Sequence, residues 1–337
     1  MSQECDYVLP EEVGVKGTHV LVTGAGGFIG SHLAERLLAE GAKVRAFVHY
    51  NALGRAGWLD QLPGRADLEV VSGDLADRDS VRAALAGIEV VFHLGALIAI
   101  PYSYRAPLSY LRINAEGTLN VLQAAREAGV RRVVHTSTSE VYGTPRTVPI
   151  REDHPLQGQS PYSASKIAAD QLAVAFHASY RVPVVILRPF NTYGPRQSAR
   201  AVIPTIAGQC LAGGPIRLGN LAPTRDLVYV DDTVDGFLRA GTAPSLEGRT
   251  IHLGTGRETS IGELARLIAR LAGVEPRIEV EERRVRPSGS EVERLLADPS
   301  LARERLGWSA RVPLEEGLER TLAWLREHPV RADDYAL

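Results

Sequence analysis

The sequence predicts an α/β protein, a doubly wound parallel sheet with a smaller C-terminal α/β unit, and three observations carry that reading. Between residues 18 and 189, short apolar runs rich in β-branched residues alternate with segments of helical period, the pattern of right-handed βαβ units. The strand-like runs are nearly all apolar, as expected when helices cover both faces of a parallel sheet. A glycine-rich turn, TGAGGFIGSH (23–32), joins the first strand-like run to the first helical one.

In chain order, residues 1–16 read as a polar N-terminal extension without periodicity. THVLVT (18–23) is the first strand. GSHLAERLLAEG (30–41) follows as a helix, with Leu33, Leu37 and Leu38 on one face and Gly41 as its C-cap. KVRAFVH (43–49) and LEVVSGD (68–74) read as the second and third strands, VRAALAG (81–87) as a helix, and Ile88–Ala96 as the fourth strand. A long helix is expected over about 108–128, a strand at RRVVHTS (131–137), a helix over about 161–180, and a strand at PVVILRP (183–189). After Pro189 the rhythm breaks into a stretch rich in Gly, Pro and Arg that extends to about 228. DLVYVDDTVDGFLRAG (226–241) resumes with a strand and helix, RTIHLGTG (249–256) adds a strand, and SIGELARLIARLAG (260–273) and LERTLAWLREH (318–328) are amphipathic helices. The expected division is 17–189 plus about 228–256 for the main sheet domain, and 190–227 plus about 257–330 for the smaller one.

The formal charge of −2 over 337 residues offers no general field for nucleic acid or a membrane surface. Two cysteines, Cys5 and Cys210, form neither a disulfide framework nor a C-x-x-C pair. No apolar run reaches the roughly 18 residues of a membrane-spanning helix, and the first residues carry acids without a basic n-region. A cytoplasmic soluble protein is the expectation. Of 38 basic residues only Lys16, Lys43 and Lys166 are lysine, so a lysine at a chemically meaningful position is informative.

In the glycine-rich turn, Gly24, Gly27 and Gly30 are spaced G-x-x-G-x-x-G between a strand and a helix. Glycines there permit a tight turn and close approach of backbone to a pyrophosphate, which then lies over the free N–H groups of the helix start. Dinucleotide binding is the expected use. At the end of the second strand stand Val48, His49, Tyr50 and Asn51. No acid is present to select NAD by its ribose hydroxyls, and no basic cluster to hold a 2′-phosphate. Asp74, ending the third strand, is placed to meet the adenine.

SPYSASKIAAD (160–170) sets Tyr162 and Lys166 one helical turn apart, on the same face. A free tyrosine, with a pKa near 10, is a poor base at neutral pH. A neighbouring ammonium and the positive nicotinamide of an oxidised cofactor are expected to lower that value, so that Tyr162 removes a hydroxyl proton while hydride leaves the same carbon.

With TGAGGFIGSH, GDL, HLGA, STSEVYG, PYSASK, RPFNTYGPRQ, RDLVYVDD, RPSGSEVERLLAD and LGW all present between about 18 and 325, the chain resembles the extended short-chain dehydrogenase/reductase family. Within it, the resemblance is to nucleotide-sugar epimerases, dehydratases and decarboxylases. It implies a Rossmann-like domain carrying NAD(P), with NAD favoured on family grounds, and a smaller domain holding a sugar nucleotide. Cofactor contacts are expected from Gly24, Gly27, Phe28, Ile29, His49, Asp74, Leu75, Leu94, Ala96, Tyr162 and Lys166. Sugar-nucleotide contacts are expected from Asn191, Arg225 and Arg286; arginine forks suit a diphosphate. The resemblance leaves Glu291 as the holder of a neighbouring arginine and His93 at the end of the fourth strand. No metal site is expected. The helices at about 108–128 and 161–180 imply a homodimer through a four-helix bundle.

The family's reactions begin by oxidising a sugar hydroxyl at C4, with Tyr162 as base and Thr138 on the same oxygen. A C4 ketone acidifies the C5 proton, and a carboxylate over C5 then leads to loss of water from C6 and return of hydride to that carbon. Glu140 fits this role, and an epimerase needs no such base. Ser139 stands where many dTDP-glucose 4,6-dehydratases keep an aspartic acid; Thr-Ser-Glu resembles the GDP-mannose dehydratases, in which one glutamate serves both C5 and C6. The expectation is therefore a nucleotide-sugar 4,6-dehydratase, with Thr138, Ser139, Glu140, Tyr162 and Lys166 as the catalytic set. The alternatives are a UDP-glucuronate decarboxylase, which shares STSEVYG, then a 4-epimerase, and outside enzymes a dinucleotide-sensing protein.

Overall fold

The computed structural model describes residues 14–62 and 64–329. Most of the expected N-terminal extension, and Cys5, lie outside the described residues. The chain begins with β1 (His19–Thr23), α1 (Phe28–Ala39), β2 (Lys43–His49), β3 (Glu69–Gly73), α2 (Arg78–Ala84) and β4 (Val90–His93). It continues through α3 (Ile100–Arg105), α4 (Pro107–Tyr110), α5 (Gly117–Ala128), β5 (Arg132–Thr136), α6 (Pro161–Tyr180) and β6 (Val184–Pro189). Then come β7 (Asn191–Tyr193), α7 (Val202–Leu211), β8 (Ile216–Leu218), β9 (Thr224–Arg225), β10 (Leu227–Tyr229), α8 (Val230–Thr242) and β11 (Thr250–Leu253). The last are β12 (Thr259–Ser260), α9 (Ile261–Ala272), β13 (Ile278–Val280), β14 (Arg294–Leu295), α10 (Ser300–Leu306) and α11 (Leu314–Glu327).

Seven strands form the main sheet in the order β11-β6-β5-β4-β1-β2-β3, all parallel. Strand order reverses between β1 and β4, the crevice where such sheets place a dinucleotide. The two-residue period of the strands divides the core. Val20, Val22, Val90, Phe92 and Val134 face one layer, with Leu33 and Leu37 of α1 and Phe237 of α8. Leu21, Phe47, Val91 and Val133 face the other, with Val81 of α2, Leu122 of α5 and Phe176 of α6. This is a Rossmann-like doubly wound sheet.

The expected helix over 108–128 is not a uniform α-helix. Residues Leu111–Glu116 form a π-helical turn between α4 and α5, a feature that recurs at functional sites. Buried Asn114 occupies it: its amide donates to the Leu97 carbonyl (2.9 Å) and to Ser165 Oγ (2.9 Å), and its Oδ1 accepts from the Leu97 N–H (2.8 Å). The turn is thereby tied both to the segment after β4 and to α6.

The remaining strands make three small sheets: β7 beside β10, β12-β9-β14, and β8 beside β13. Residues that propensity alone left unplaced between 190 and 228 form β7, α7, β8 and β9, because their partners come from distant segments. None of the helices among the described residues is long and apolar enough to cross a membrane.

Candidate active site

The crevice starts at the turn between β1 and α1. Gly24 has φ +69°, and a Cβ there would lie 2.8 Å from the Gly95 Cα; one on Gly30 would lie 2.2 Å from the Gly24 carbonyl oxygen. The two glycines thus let α1 and the segment after β4 close onto the turn. Gly27 caps α1 with backbone alone, and the first turn, with Phe28 and Ile29, carries no acid. The N–H groups of a first turn have no intrahelical partner, so this cradle fits an anionic pyrophosphate.

The other cofactor positions lie at the same C-terminal edge of the sheet. His49 ends β2 and is exposed. Asn51 is engaged by its own loop, with Nδ2 donating to the Arg55 carbonyl (2.7 Å) and Oδ1 accepting from its N–H (3.2 Å). Asp60 is held by Arg65 at 2.6 Å and by the Ala56 N–H at 3.0 Å. The end of β2 therefore keeps the neutral character expected from sequence. Asp74 follows β3 and accepts from the Ala76 N–H (2.9 Å), while buried Leu75 follows and gives its carbonyl to Asn120 (2.9 Å). Leu94 and Ala96 flank Gly95, whose N–H donates to Thr23 Oγ1 (3.0 Å). His93 closes β4 between Thr23 Oγ1 (2.8 Å) and Thr118 Oγ1 (3.0 Å).

Strand β5 runs directly into TSTSEVYG. Thr138 caps a 3₁₀ turn over Ser139–Tyr142, its hydroxyl accepting from the Glu140 N–H at 3.2 Å. The turn leaves Thr138 and Glu140 half-buried at the crevice and buries Ser139. It ends at Gly143, with φ +58°, where a Cβ would lie 2.5 Å from the Gln157 carbonyl oxygen. Helix α6 begins with a reciprocal Ser160–Ser163 capping box and Pro161 in its first turn, a strong start signal. That start presents Tyr162 and Lys166 to the end of β5. Lys166 Nζ donates to the Thr136 carbonyl at 2.7 Å, and Thr138 hydrogen-bonds the Tyr162 hydroxyl.

Burial dominates the electrostatics of this pair. It pushes the Tyr162 phenol well above its ordinary value, against the Thr138 hydrogen bond and with the help of the nearby Glu140 charge. The lowering expected from a neighbouring ammonium is thus outweighed in the protein alone, because Tyr162 is only 7% exposed. Burial also brings Lys166 down to about 8, opposed by Asp170. At neutral pH the pair is a phenol above an ammonium.

Across the crevice, Arg225 on β9 is buried, with Nη1 donating to the Thr224 carbonyl (2.9 Å). Burial lowers the pKa of its guanidinium, and the charge of Glu140 works in the opposite sense. Glu140 therefore lies within electrostatic reach of both Tyr162 and Arg225. Glu291 Oε1 stands 3.7 Å from Arg225 and 3.7 Å from Arg286, the arginine-holding place left to it by the sequence. Asn191 Oδ1 and Arg286 Nη1 are buried atoms without a hydrogen-bond partner, so both have capacity for a polar ligand. The Tyr104 hydroxyl meets Ser290 Oγ at 2.5 Å, linking α3 to the loop that carries Arg286 and Glu291.

Sequence reasoning missed Tyr110, Asn114 and Asp170. Tyr110 is fully buried and sets its ring edge-on to Tyr162 at 6.2 Å. Its signal was hidden in a helix whose π turn leaves no mark on apolar period. Asp170 lies in SPYSASKIAAD, one turn beyond Lys166, and nothing in that spacing marks its buried partners, which come from β5 and β6. Among the described residues no cluster suits a metal ion.

Comparison with known proteins agrees with this geometry. The sequence matches the GDP-mannose 4,6 dehydratase family over residues 21–321. It is 39% identical over 313 residues to a UDP-glucose 4-epimerase of Mycolicibacterium smegmatis, spanning 91% of this chain and 98% of that one. It is 36% identical over 318 residues to a dTDP-glucose 4,6-dehydratase of Streptomyces griseus, spanning 92% and 95%. The crystal structure of a dTDP-glucose 4,6-dehydratase of Streptomyces venezuelae with NAD bound superposes with a TM-score of 0.85 at 32% identity, covering 92% and 97%. With that fold, that glycine turn and that Tyr162–Lys166 pair, the chain belongs to the GDP-mannose 4,6 dehydratase family, among the NAD-dependent epimerases and dehydratases of the extended short-chain dehydrogenases/reductases.

Proposed function

We propose that this protein is a nucleotide-sugar 4,6-dehydratase that converts an NDP-hexose into an NDP-4-keto-6-deoxysugar, with NAD held in the crevice and regenerated in each turnover. The observation that carries the reading is Glu140, a half-buried carboxylate at the crevice within electrostatic reach of both Tyr162 and Arg225. Bound NAD supplies the hydride acceptor for C4 and the hydride donor for C6, and its cationic nicotinamide favours the Tyr162 phenolate. Thr138 and Tyr162 grip the C4 hydroxyl, and Tyr162 takes its proton while Lys166 remains an ammonium. Glu140 then removes the C5 proton, made acidic by the new ketone, and delivers a proton to the departing C6 oxygen, so that water is lost between C5 and C6. Ser139, an alcohol, orients the C6 oxygen rather than protonating it. C5 takes a proton from solvent as C6 is reduced, and Tyr162 returns to solvent the proton it took from the C4 hydroxyl, so the sugar loses one water overall. A positioned base of this kind contributes about 10²–10⁴-fold. Asn191, Arg225 and Arg286 take the nucleotide diphosphate, in a smaller domain formed by 190–227 and about 257–330.

Incubating the protein with a panel of sugar nucleotides and weighing the products tests the reaction type. A product lighter by one water is expected. A product of unchanged mass and inverted C4 would instead establish the 4-epimerase reading, which the 39% identical relative favours. Carbon dioxide from UDP-glucuronate would establish a decarboxylase, and no turnover with any member would revive the dinucleotide sensor. We also propose a homodimer through α4–α5 and α6. Leu108, Leu111, Val174 and Tyr180 are 56, 52, 45 and 51% exposed there, apolar side chains that a pairing of these helices would cover. Light scattering at the monomer mass would sink that proposal.

A further inference from the structure

Beneath the Tyr162–Lys166 pair lies a buried polar cluster that the proposed reaction does not use. Asp170 sits one helical turn beyond Lys166 on α6 and has no exposed surface. Its Oδ2 accepts from Ser137 Oγ at 2.6 Å and from Arg188 Nη2 at 2.8 Å and Nε at 3.3 Å; its Oδ1 faces His135 Nε2 at 3.1 Å. These partners come from β5, its continuation and β6, so the carboxylate joins α6 to the two strands whose ends form the crevice. Further out, Arg188 donates to the Tyr142 hydroxyl (2.5 Å), which meets His252 Nε2 at 2.6 Å, and Glu152 accepts from the His252 N–H (3.0 Å).

We infer that Asp170 is a positioning residue that holds Lys166 as an ammonium ion one helical turn from Tyr162. The first ground is charge balance. The cluster buries two cations, Lys166 and Arg188; Asp170 pairs with Arg188 at 2.8 Å, and its charge also favours the Lys166 ammonium. His93 on β4 and His135 on β5 face Lys166 with rings 5.6 Å apart, and burial keeps both neutral. With Asp170 ionised the set carries one net positive charge, which a Tyr162 phenolate brings to zero. Without Asp170 the cluster would bury two cations with no counter-charge, and the lysine is the one able to shed its proton.

The second ground is that Asp170 is anchored to stay ionised. Burial alone would raise its pKa, yet the hydrogen bond from His135 and the charges of Arg188 and Lys166 hold it at about 2. It therefore remains an anion across the range in which Lys166 titrates, near 8. Facing the pair from the remaining elements are Glu140, whose charge opposes the phenolate, and Tyr110, which is uncharged at these pH values. Neither supplies the anion that Lys166 lacks.

This inference rests on Tyr162 and Lys166 acting as the redox pair, and its test does not depend on which sugar nucleotide is turned over. The chain has only three lysines, so NAD-loaded protein labelled with ¹³C at lysine Cε should give three resolvable signals, with Lys166 assigned by its loss in Lys166→Met. Following that signal with pH, Asp170→Asn should move the titration down by about one unit or more, a tenfold change in the ammonium fraction. Lys16 and Lys43 should not move. Ser137→Ala removes a hydrogen bond but no charge and should leave Lys166 within a few tenths of a unit. An unmoved Lys166 in Asp170→Asn would overturn the inference, and so would an equal shift in Ser137→Ala, which would mark a loosened structure instead of a lost charge. Should Asp170→Asn not fold, Asp170→Asn with Arg188→Met removes the buried ion pair together; a smaller downward shift is then expected, because a cation leaves with the anion, and an unmoved Lys166 would overturn the inference. Failure of the dehydratase reading on the substrate panel would leave this titration interpretable.

Discussion

Replacing Glu140 by Gln separates the two halves of the proposed reaction. The substitution keeps shape and removes one negative charge within electrostatic reach of Tyr162 and Arg225. A carboxylate at C5 is replaced by an amide that takes up no proton, so the loss at that step should be about 10²–10⁴-fold, or roughly 3–5 kcal/mol of barrier. The first half should survive. The Glu140 charge raises the Tyr162 phenol, so its removal makes the phenolate easier to reach and should shift the acid limb of C4 oxidation to lower pH. Single-turnover absorbance at the reduced-nicotinamide band reads the first half. Uptake of solvent deuterium at C5, followed by mass spectrometry in heavy water, reads the second. Retained cofactor reduction with lost exchange is expected. Exchange within tenfold of the unsubstituted protein would refute Glu140 as the C5 base, and equal loss of both signals would assign it a structural place.

Tyr162→Phe should bind NAD with little change yet reduce it at least about 10²-fold more slowly on addition of substrate; undiminished reduction would remove Tyr162 from the chemistry. Gly30→Ala would put a methyl group 2.2 Å from the Gly24 carbonyl oxygen, so a loss of more than about 3 kcal/mol in chemical denaturation is expected, with NAD lost on gel filtration. Stability should also fall on mild acidification, because burial keeps His93 and His252 neutral, His252 down to about 3. Unfolded, each histidine binds a proton near pH 6.5 that the folded protein refuses, so the unfolded state binds more protons below that pH. Between pH 7 and 5 this costs on the order of 2 kcal/mol per histidine, visible as a falling Tm in calorimetry; a level Tm over that range would contradict it.

The fold was legible because its signals are local. Apolar strands, the glycine turn and the Ser160–Pro161 helix start are each written within a few consecutive residues, and each lies at the expected place in the structure. What escaped the sequence depends on distant partners. Strands β8, β9, β13 and β14 are two or three residues long and exist only through their pairing. The π turn at Leu111–Glu116 follows from Asn114 reaching Leu97 and Ser165, contacts that apolar period cannot show. The same holds for Tyr162: spacing placed it beside Lys166, but the direction of its electrostatic shift depends on how completely the fold buries it.

Relatives with different reactions share this scaffold for a physical reason. Oxidation at C4 needs only a dinucleotide cradle, a hydroxyl-binding Thr–Tyr pair and a charged lysine, parts that such relatives can hold in common. Once the ketone exists, its fate depends on whether a proton can leave C5, which one side chain decides. Identity averaged over 313 residues therefore weighs the common first step far more heavily than the step that separates a dehydratase from an epimerase. Under the proposed reading the deciding position in this chain is Glu140, and its neighbour Ser139 is buried and is an alcohol. An alcohol cannot protonate a departing oxygen in the way an acid can, so in a dehydratase the proton for C6 would fall to the carboxylate that had just taken one from C5. Removal and delivery would then occur from one side of the sugar, by one group serving adjacent carbons. Glu140 is the residue on which the proposed reaction turns, and Ser139 is the reason it would have to act twice.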